Sequence, residues 1–341
     1  MRARTTAAAL LLATPAPACA GASHDAHAPG GPAAAQVLHV AITVSSLDDA
    51  TTWFAQALSA QPGAIESVAA DTARWGRPVP ATRVRTLSLG REQVVLVDPE
   101  GPALPGGAHV SNTAAFQHLA LVVGDIDARW HAIAASIDPI SSVPQRIPDS
   151  NRVAAGIRAA YFRGPDAHAL ELIHYPDDKG ASRWHVGGDR VLGIDHTAIA
   201  VAQTERSLGF WRDLLGLEVV GESLNEGREQ AQLSGVDGAR VHITALRGAG
   251  GLGVELLEYL EPGLVPADAI AHPEASAHAH TTVRVADLDA TVAAVRDAEA
   301  TLDVAVISAR SSECIACGDR RRAIMVRDPD GHVVQLVEAR P

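Results

Sequence analysis

Gly193-Ile-Asp-His-Thr-Ala-Ile-Ala-Val201 is the stretch whose reading decides the fold. Its apolar residues alternate with a period of two, which marks a strand with one buried face, and a histidine stands near its start. Behind Thr204, a candidate N-cap, residues 205–215 place Leu208, Trp211, Leu214 and Leu215 on one helical face, and Gly216 stands at the expected stop. Three strands are predicted to follow, at 217–221, 239–246 and 253–260. The opening recurs as His39-Val-Ala-Ile-Thr-Val, His118-Leu-Ala-Leu-Val-Val and His280-Thr-Thr-Val-Arg-Val. A period of about 80 residues is too long for a solenoid, so each repeat is read as a small strand–helix–three-strand unit.

The fourth unit repeats the third: strand 281–285, helix 288–298, then strands 304–308, 323–327 and 332–338. The hairpin Asp328-Pro-Asp-Gly-His332 has proline and glycine where a tight turn wants them, and Gly164-Pro-Asp-Ala-His168 is its counterpart in the second unit. His168 and His332 are read as solvent-side turn residues. The first unit is the least regular, with strands at 38–44, 84–89 and 93–97, helix 47–58, and a loop around Trp75-Gly-Arg-Pro-Val-Pro80. Residues 178–191 are polar and turn-rich. The expected organisation is therefore α+β: a first domain of two units over 37–177, a linker at 178–191, and a second domain of two units over 192–340. In each, paired units form curved mixed sheets around a cleft.

Composition narrows the function. The chain has 341 residues, a formal net charge of −12 and only 4% aromatic residues, with its basic residues dispersed. That argues against a nucleic-acid partner or an anionic membrane surface. No window resembles a membrane span. The N-terminus has a basic start (Arg2, Arg4), an apolar run at 7–13 and small residues up to Ala20. This is the pattern of a secretory signal peptide over 1–20, followed by a tether over 21–36. The expected location is periplasmic or extracellular. The alternative is a lipoprotein anchored through Cys19. Cys314 and Cys317, in an exported protein, are read as a local structural disulfide or inert thiols, with a redox or metal role as the alternative.

Each unit also carries a polar residue in its last strand: Gln93, Glu171, Glu255 and Gln335. A polar side chain in an apolar strand needs a hydrogen bond or a ligand to offset its burial. Pairing sequence neighbours puts His39, Gln93, His118 and Glu171 in one cleft, and His196, Glu255, His280 and Gln335 in the other. Imidazoles with carboxylate and amide oxygens suit a divalent metal: Zn, Ni, Co, Mn or Fe. His278 competes with His280, and Glu92 with Gln93.

The repeated units, with openings such as Gly193-Ile-Asp-His-Thr-Ala-Ile-Ala-Val201 and endings such as Arg327-Asp-Pro-Asp-Gly-His-Val-Val-Gln-Leu336, resemble the vicinal oxygen chelate superfamily over residues 37–340. That group includes glyoxalase I, methylmalonyl-CoA epimerase, extradiol dioxygenases and bleomycin-resistance proteins. The resemblance implies a glyoxalase-like fold and a metal-dependent isomerase or lyase acting on a small oxygenated carbonyl compound. Glu171 and Glu255 would move the proton. The alternatives are a metal-free small-molecule binding protein, or an Fe(II) extradiol dioxygenase, although Gln335 stands where those enzymes carry a final-strand glutamate. Whether units pair within the chain or across a homodimer stays open.

Overall fold

Each histidine-led segment is a strand at the edge of its own unit, and these edges join the units together. The computed structural model describes residues 35–339 apart from 72–73, 77, 101–108, 268–274, 276–277, 315 and 318–320. The expected signal peptide, all but the last two residues of the tether, and Cys19 lie outside the described residues. In the first unit the opening strand, Gln36–Thr43, runs parallel to the last, Glu92–Pro99, and a meander continues through Thr82–Leu89 to Gln61–Val68. The same plan holds for the opening strands Gln117–Val123, Val191–Val201 and Ala279–Val285 with their last strands Ala169–His174, Gly253–Glu261 and Val333–Glu338.

Among the described residues two nine-stranded sheets result, and they correct the expected pairing of sequence neighbours. The opening strand of unit one pairs antiparallel with that of unit four, and the opening strand of unit two with that of unit three. All four opening strands are alike, so their pattern could not choose partners. Sequence neighbours instead meet through hairpins. His168 Nε2 lies 2.7 Å from the Thr43 carbonyl and Asp166 accepts from the Ser45 amide. In the same way, His332 Nε2 lies 2.9 Å from the Ala200 carbonyl and Asp330 accepts from the Ala202 amide. His168 and His332 are therefore buried pins rather than solvent-side residues. Replacing His332 with Phe keeps the ring volume but leaves the Ala200 carbonyl without this partner. We expect a loss of about 1–3 kcal/mol, read as a lower urea midpoint at unchanged slope.

Local signals explain the helices. Ser46, Asp125 and Asp287 each accept from the amide three residues on, starting helices Leu47–Leu58, Ile126–Ile133 and Leu288–Leu302. The third unit departs from this. Gln203 holds the N-cap position, and Thr204 lies inside the helix with its amide and hydroxyl on Glu258. Its helix, Thr204–Leu208, then widens into a π-helical turn over Gly209–Leu214. A helix at Gly227–Ser234, absent from the sequence reading, follows.

Alternation sorts the strand faces. Val40, Ile42, Leu119, Leu121, Ile199 and Val283 join Phe54, Phe210 and Trp211 in one core spanning both sheets. A fully buried side chain of this size contributes about 1.5–3 kcal/mol. The intervening residues, among them the four opening histidines, line the other face of each sheet. Among the described residues, no helix is long and apolar enough to cross a membrane.

Candidate metal centre

Register places the donors. Two residues beyond each opening histidine, on the same face, stands a small side chain: Ala41, Ala120, Ala198 or Thr282. Across the parallel ladder these face Val95, Glu171, Glu255 and Gln335. Because units two and three share a sheet, both carboxylates fall in one cleft with His118 and His196.

There, one donor atom each from His118, Glu171 and His196 lie within 4.8 Å of one another, and all three residues are buried. Glu171 Oε2 is 3.1 Å from His118 Nε2 and 3.4 Å from His196 Nε2. Glu255 Oε2 stands 3.3 Å from His196 Nε2, on the more open side, with its side chain 24% exposed against 6% for Glu171. The Tyr161 ring packs 4.7 Å from that of His118.

A residue the sequence reading left without a role holds this arrangement. Asp195 Oδ2 lies 3.0 Å from His196 Nδ1, which turns Nε2 toward the carboxylates. Asp195 in turn accepts from Arg247 Nη2 at 2.6 Å, Tyr175 Oη at 3.0 Å and Trp184 Nε1 at 3.2 Å. A carboxylate behind a ligating imidazole fixes its tautomer and raises its basicity. The available signal was an acid directly preceding the histidine in only one of the four openings.

Electrostatics agree. Burial alone would lower the pKa of His196, but Glu255, Asp195 and Glu171 outweigh it and push it up to about 10. Burial raises Glu171, yet the adjacent His118 and His196 bring it down to about 2. Glu255 is raised by burial and by the neighbouring carboxylates, against the pull of His196. The cluster thus favours positive charge at its centre. His196 Nε2 is buried and makes no aligned hydrogen bond despite its two carboxylate neighbours. An orphaned imidazole nitrogen facing carboxylate oxygens fits a divalent first-row metal, which takes nitrogen and oxygen ligands together.

The other predicted ligands lie elsewhere. Gln93 is exposed, and Val95 occupies its unit's donor position. The spacing of 54 residues between His39 and Gln93 matched the 53 between His118 and Glu171, but intervening loops differ, so spacing does not fix register. Glu92, the competing choice, accepts from Arg183 and the Ile194 amide, tying unit one to the linker and unit three. His39, His280 and Gln335 are buried in the sheet of units one and four. Among the described residues, neither His39 nor His280 belongs to a cluster of three histidine, cysteine or acidic donor atoms. There the Gln335 carbonyl oxygen accepts from Thr282 and lies 3.1 Å from Cys314 Sγ. Cys314 and Cys317 are joined by the expected disulfide.

The model of the Glyoxalase/Bleomycin resistance protein/Dioxygenase superfamily matches residues 36–172 and 193–336. No curated protein matches the chain. Among solved structures, glyoxalase I from Zea mays is similar with a TM-score of 0.59 and 15% identity, covering 89% of this chain and 92% of that one. A dioxygenase candidate from Bacillus subtilis subsp. subtilis str. 168 has a TM-score of 0.54 and 14% identity, covering 91% and 87%. At such identities the likeness is one of fold.

Proposed function

Since the chain belongs to the Glyoxalase/Bleomycin resistance protein/Dioxygenase superfamily, we propose that the cleft of units two and three is the active site of a divalent-metal-dependent isomerase or lyase. Its substrate would be a small oxygenated carbonyl compound. The observation that carries this reading is the convergence of two imidazoles and two carboxylates of unlike environment.

His118, His196 and Glu171 would hold the ion. A bound divalent cation supplies Lewis-acid stabilisation of negative charge developing on substrate oxygens. Glu255 then acts as the base. Its carboxylate reaches the open side of the cleft and its pKa is raised, which suits it to take a proton from the carbon beside the carbonyl. For an isomerisation of a hydroxy-carbonyl compound it returns that proton to the neighbouring carbon, while the hydroxyl proton passes to the former carbonyl oxygen, so no acid is consumed overall. Asp195, through His196, keeps the site aligned, and Tyr161 closes one wall. On the reading of residues 1–20 as an export signal, substrate and enzyme meet outside the cytoplasm.

The test is exchange of the α-proton of hydroxyacetone or methylglyoxal with deuterated solvent, followed by NMR on metal-loaded protein. Glu255→Gln should keep its metal and lose at least about 100-fold in exchange rate. Glu171→Gln should lose the metal. Unchanged exchange in the double variant, or a wild-type protein that takes up no divalent ion, ends the proposal.

A second reading has its own support. His118, His196 and Glu171 alone are a two-histidine, one-carboxylate set with Glu255 outside it, the ligand type of Fe(II) oxygen chemistry. Oxygen uptake by the iron-loaded protein with catechol, without α-proton exchange, would select it.

A further inference from the structure

Asp195 and His196 are sequence neighbours, and in a regular strand neighbouring side chains point to opposite faces. Here they meet, because the ladder of Val191–Val201 with Gln117–Val123 pairs Ile194 with Leu121 and His196 with Ala120. Asp195 is the extra residue of a bulge, and a bulge re-aims side chains in this way. Unit one repeats the device: Val37 pairs with Val283, His39 with Thr282, and Leu38 is left over. The Leu38 side chain can give His39 no hydrogen bond. The bulge is thus shared by both sheets, and the acid in it belongs to unit three.

That bulge is held from outside its own sheet. Glu92 opens the strand Glu92–Pro99 of unit one, and its buried carboxylate reaches the residue before Asp195. Oε2 accepts from the Ile194 amide at 3.2 Å, and Oε1 accepts from Arg183 Nη1 at 2.7 Å. The Arg183 guanidinium lies 3.7 Å over the Trp184 ring, and Trp184 Nε1 donates to Asp195 Oδ1 at 3.2 Å. One carboxylate therefore reaches the bulge by two routes, through the main chain and through Arg183 with Trp184. Bonds to an ionised acceptor are stronger than neutral ones. Two glycines make room for the approach. A Cβ at Gly193 would stand 2.3 Å from Glu92 Oε2 and 3.0 Å from the Trp184 ring. One at Gly90 would stand 2.1 Å from the Leu192 carbonyl oxygen.

We propose that Glu92 is a positioning residue for the metal centre. Acting from the opposite sheet, it fixes the bulge of unit three so that Asp195 holds His196 with Nε2 toward Glu171 and Glu255. The inference rests on the reading of that cleft as a metal site. It adds that the ligand geometry depends on unit one, which contributes no ligand. Glutamine at position 92 keeps the volume, but its NH2 cannot accept, so either Arg183 or the Ile194 amide loses its partner. Ligating imidazoles answer to such outer contacts, because a small tilt of the ring moves its nitrogen off the ion.

The experiment is calorimetric titration of the full chain with zinc and with nickel, as wild type, Glu92→Gln, Asp195→Asn and the double variant. Glu92→Gln should weaken binding by about 3- to 10-fold, less than Asp195→Asn, because it acts one contact further out. In the Asp195→Asn background it should cost at most about twofold more, since its route to His196 is already cut. A glutamate that served stability alone would give two losses that add. Arg183→Gln, at a partly exposed side chain, should reproduce part of the loss and decides the question if Glu92→Gln does not fold. Arg83→Gln breaks a different ion pair of unit one, with Asp98, and should leave metal affinity unchanged. Wild-type affinity in folded Glu92→Gln, additive losses in the cycle, or an equal loss in Arg83→Gln overturns the inference and leaves the metal centre standing. A wild type that takes up neither ion overturns both.

Discussion

Asp195→Asn weakens divalent-ion binding by about 10- to 100-fold while the chain still folds, if the site works as its geometry indicates. The carboxylate gathers donors from Tyr175, Trp184 and Arg247 and fixes the orientation of His196. Asparagine fills the same space but loses the charge, and whichever way its amide turns, its NH2 displaces one acceptor among these donors. His196 then loses the contact that holds Nε2 toward Glu171. Asp195→Ala goes further, because Arg247 is left without its carboxylate. A fully buried pair broken this way costs about 3–5 kcal/mol. Since 33% of the Arg247 side chain reaches solvent, about 2–3 kcal/mol is the better expectation. Calorimetric zinc or nickel titration reads the first effect and urea denaturation of the metal-free protein the second. Wild-type affinity in Asp195→Asn would mean that His196 is held by packing alone, and the positioning role would be lost.

How far the sequence disclosed this site depends on which physical constraint each residue answers to. His118, Glu171, His196 and Glu255 were legible because a polar residue in an alternating apolar strand must answer for its burial, and all four lie on the inward face. Gln93 met the same pattern at a similar spacing and turned out to be exposed. Spacing along the chain crosses a loop of variable length, whereas facing across the ladder depends on the register of Ala41 with Val95. Alternation alone could not tell Gln93 from Glu92 either, and it is Glu92 that is buried. The fold class followed from the repeat itself. The partnership of units did not, because four near-identical edges carry no label for their partners. The choice is reflected in long-range contacts such as Asp330 with Ala202 and Glu92 with Ile194, which have no local signature. The consequence for function is direct: pairing two with three concentrates both last-strand carboxylates in one cleft, while Val95 and Gln335 hold those positions in the other.

That asymmetry also sets how the protein responds to acid. Burial holds His39 at about 4 and His278 at about 3, and lowers His280 well below 6.5, all in the sheet of units one and four. In the unfolded chain these rings titrate near 6.5. Below that pH the unfolded state binds protons the native state refuses, so stability falls as pH falls. Each ring that stays neutral costs about 1.4 kcal/mol per pH unit, or about 2 kcal/mol between pH 6.5 and 5. His39 and His278 together reach about 4 kcal/mol, and His280, lowered by burial as well, acts in the same direction. The other sheet has the opposite sign. His196, raised to about 10, contributes stability that is fully present below 6.5 and is lost only as pH rises through 10. Glu171, lowered to about 2, holds its contribution until far more acid conditions. Acid should therefore destabilise the chain through the buried histidines of units one and four. Urea titrations at intervals from pH 7.5 to 5 measure the slope, and His278→Leu should reduce the uptake by one proton. Stability that stays level or rises across that interval would show that these imidazoles accept protons in the native state, and the uncharged character of their cleft would fall with it.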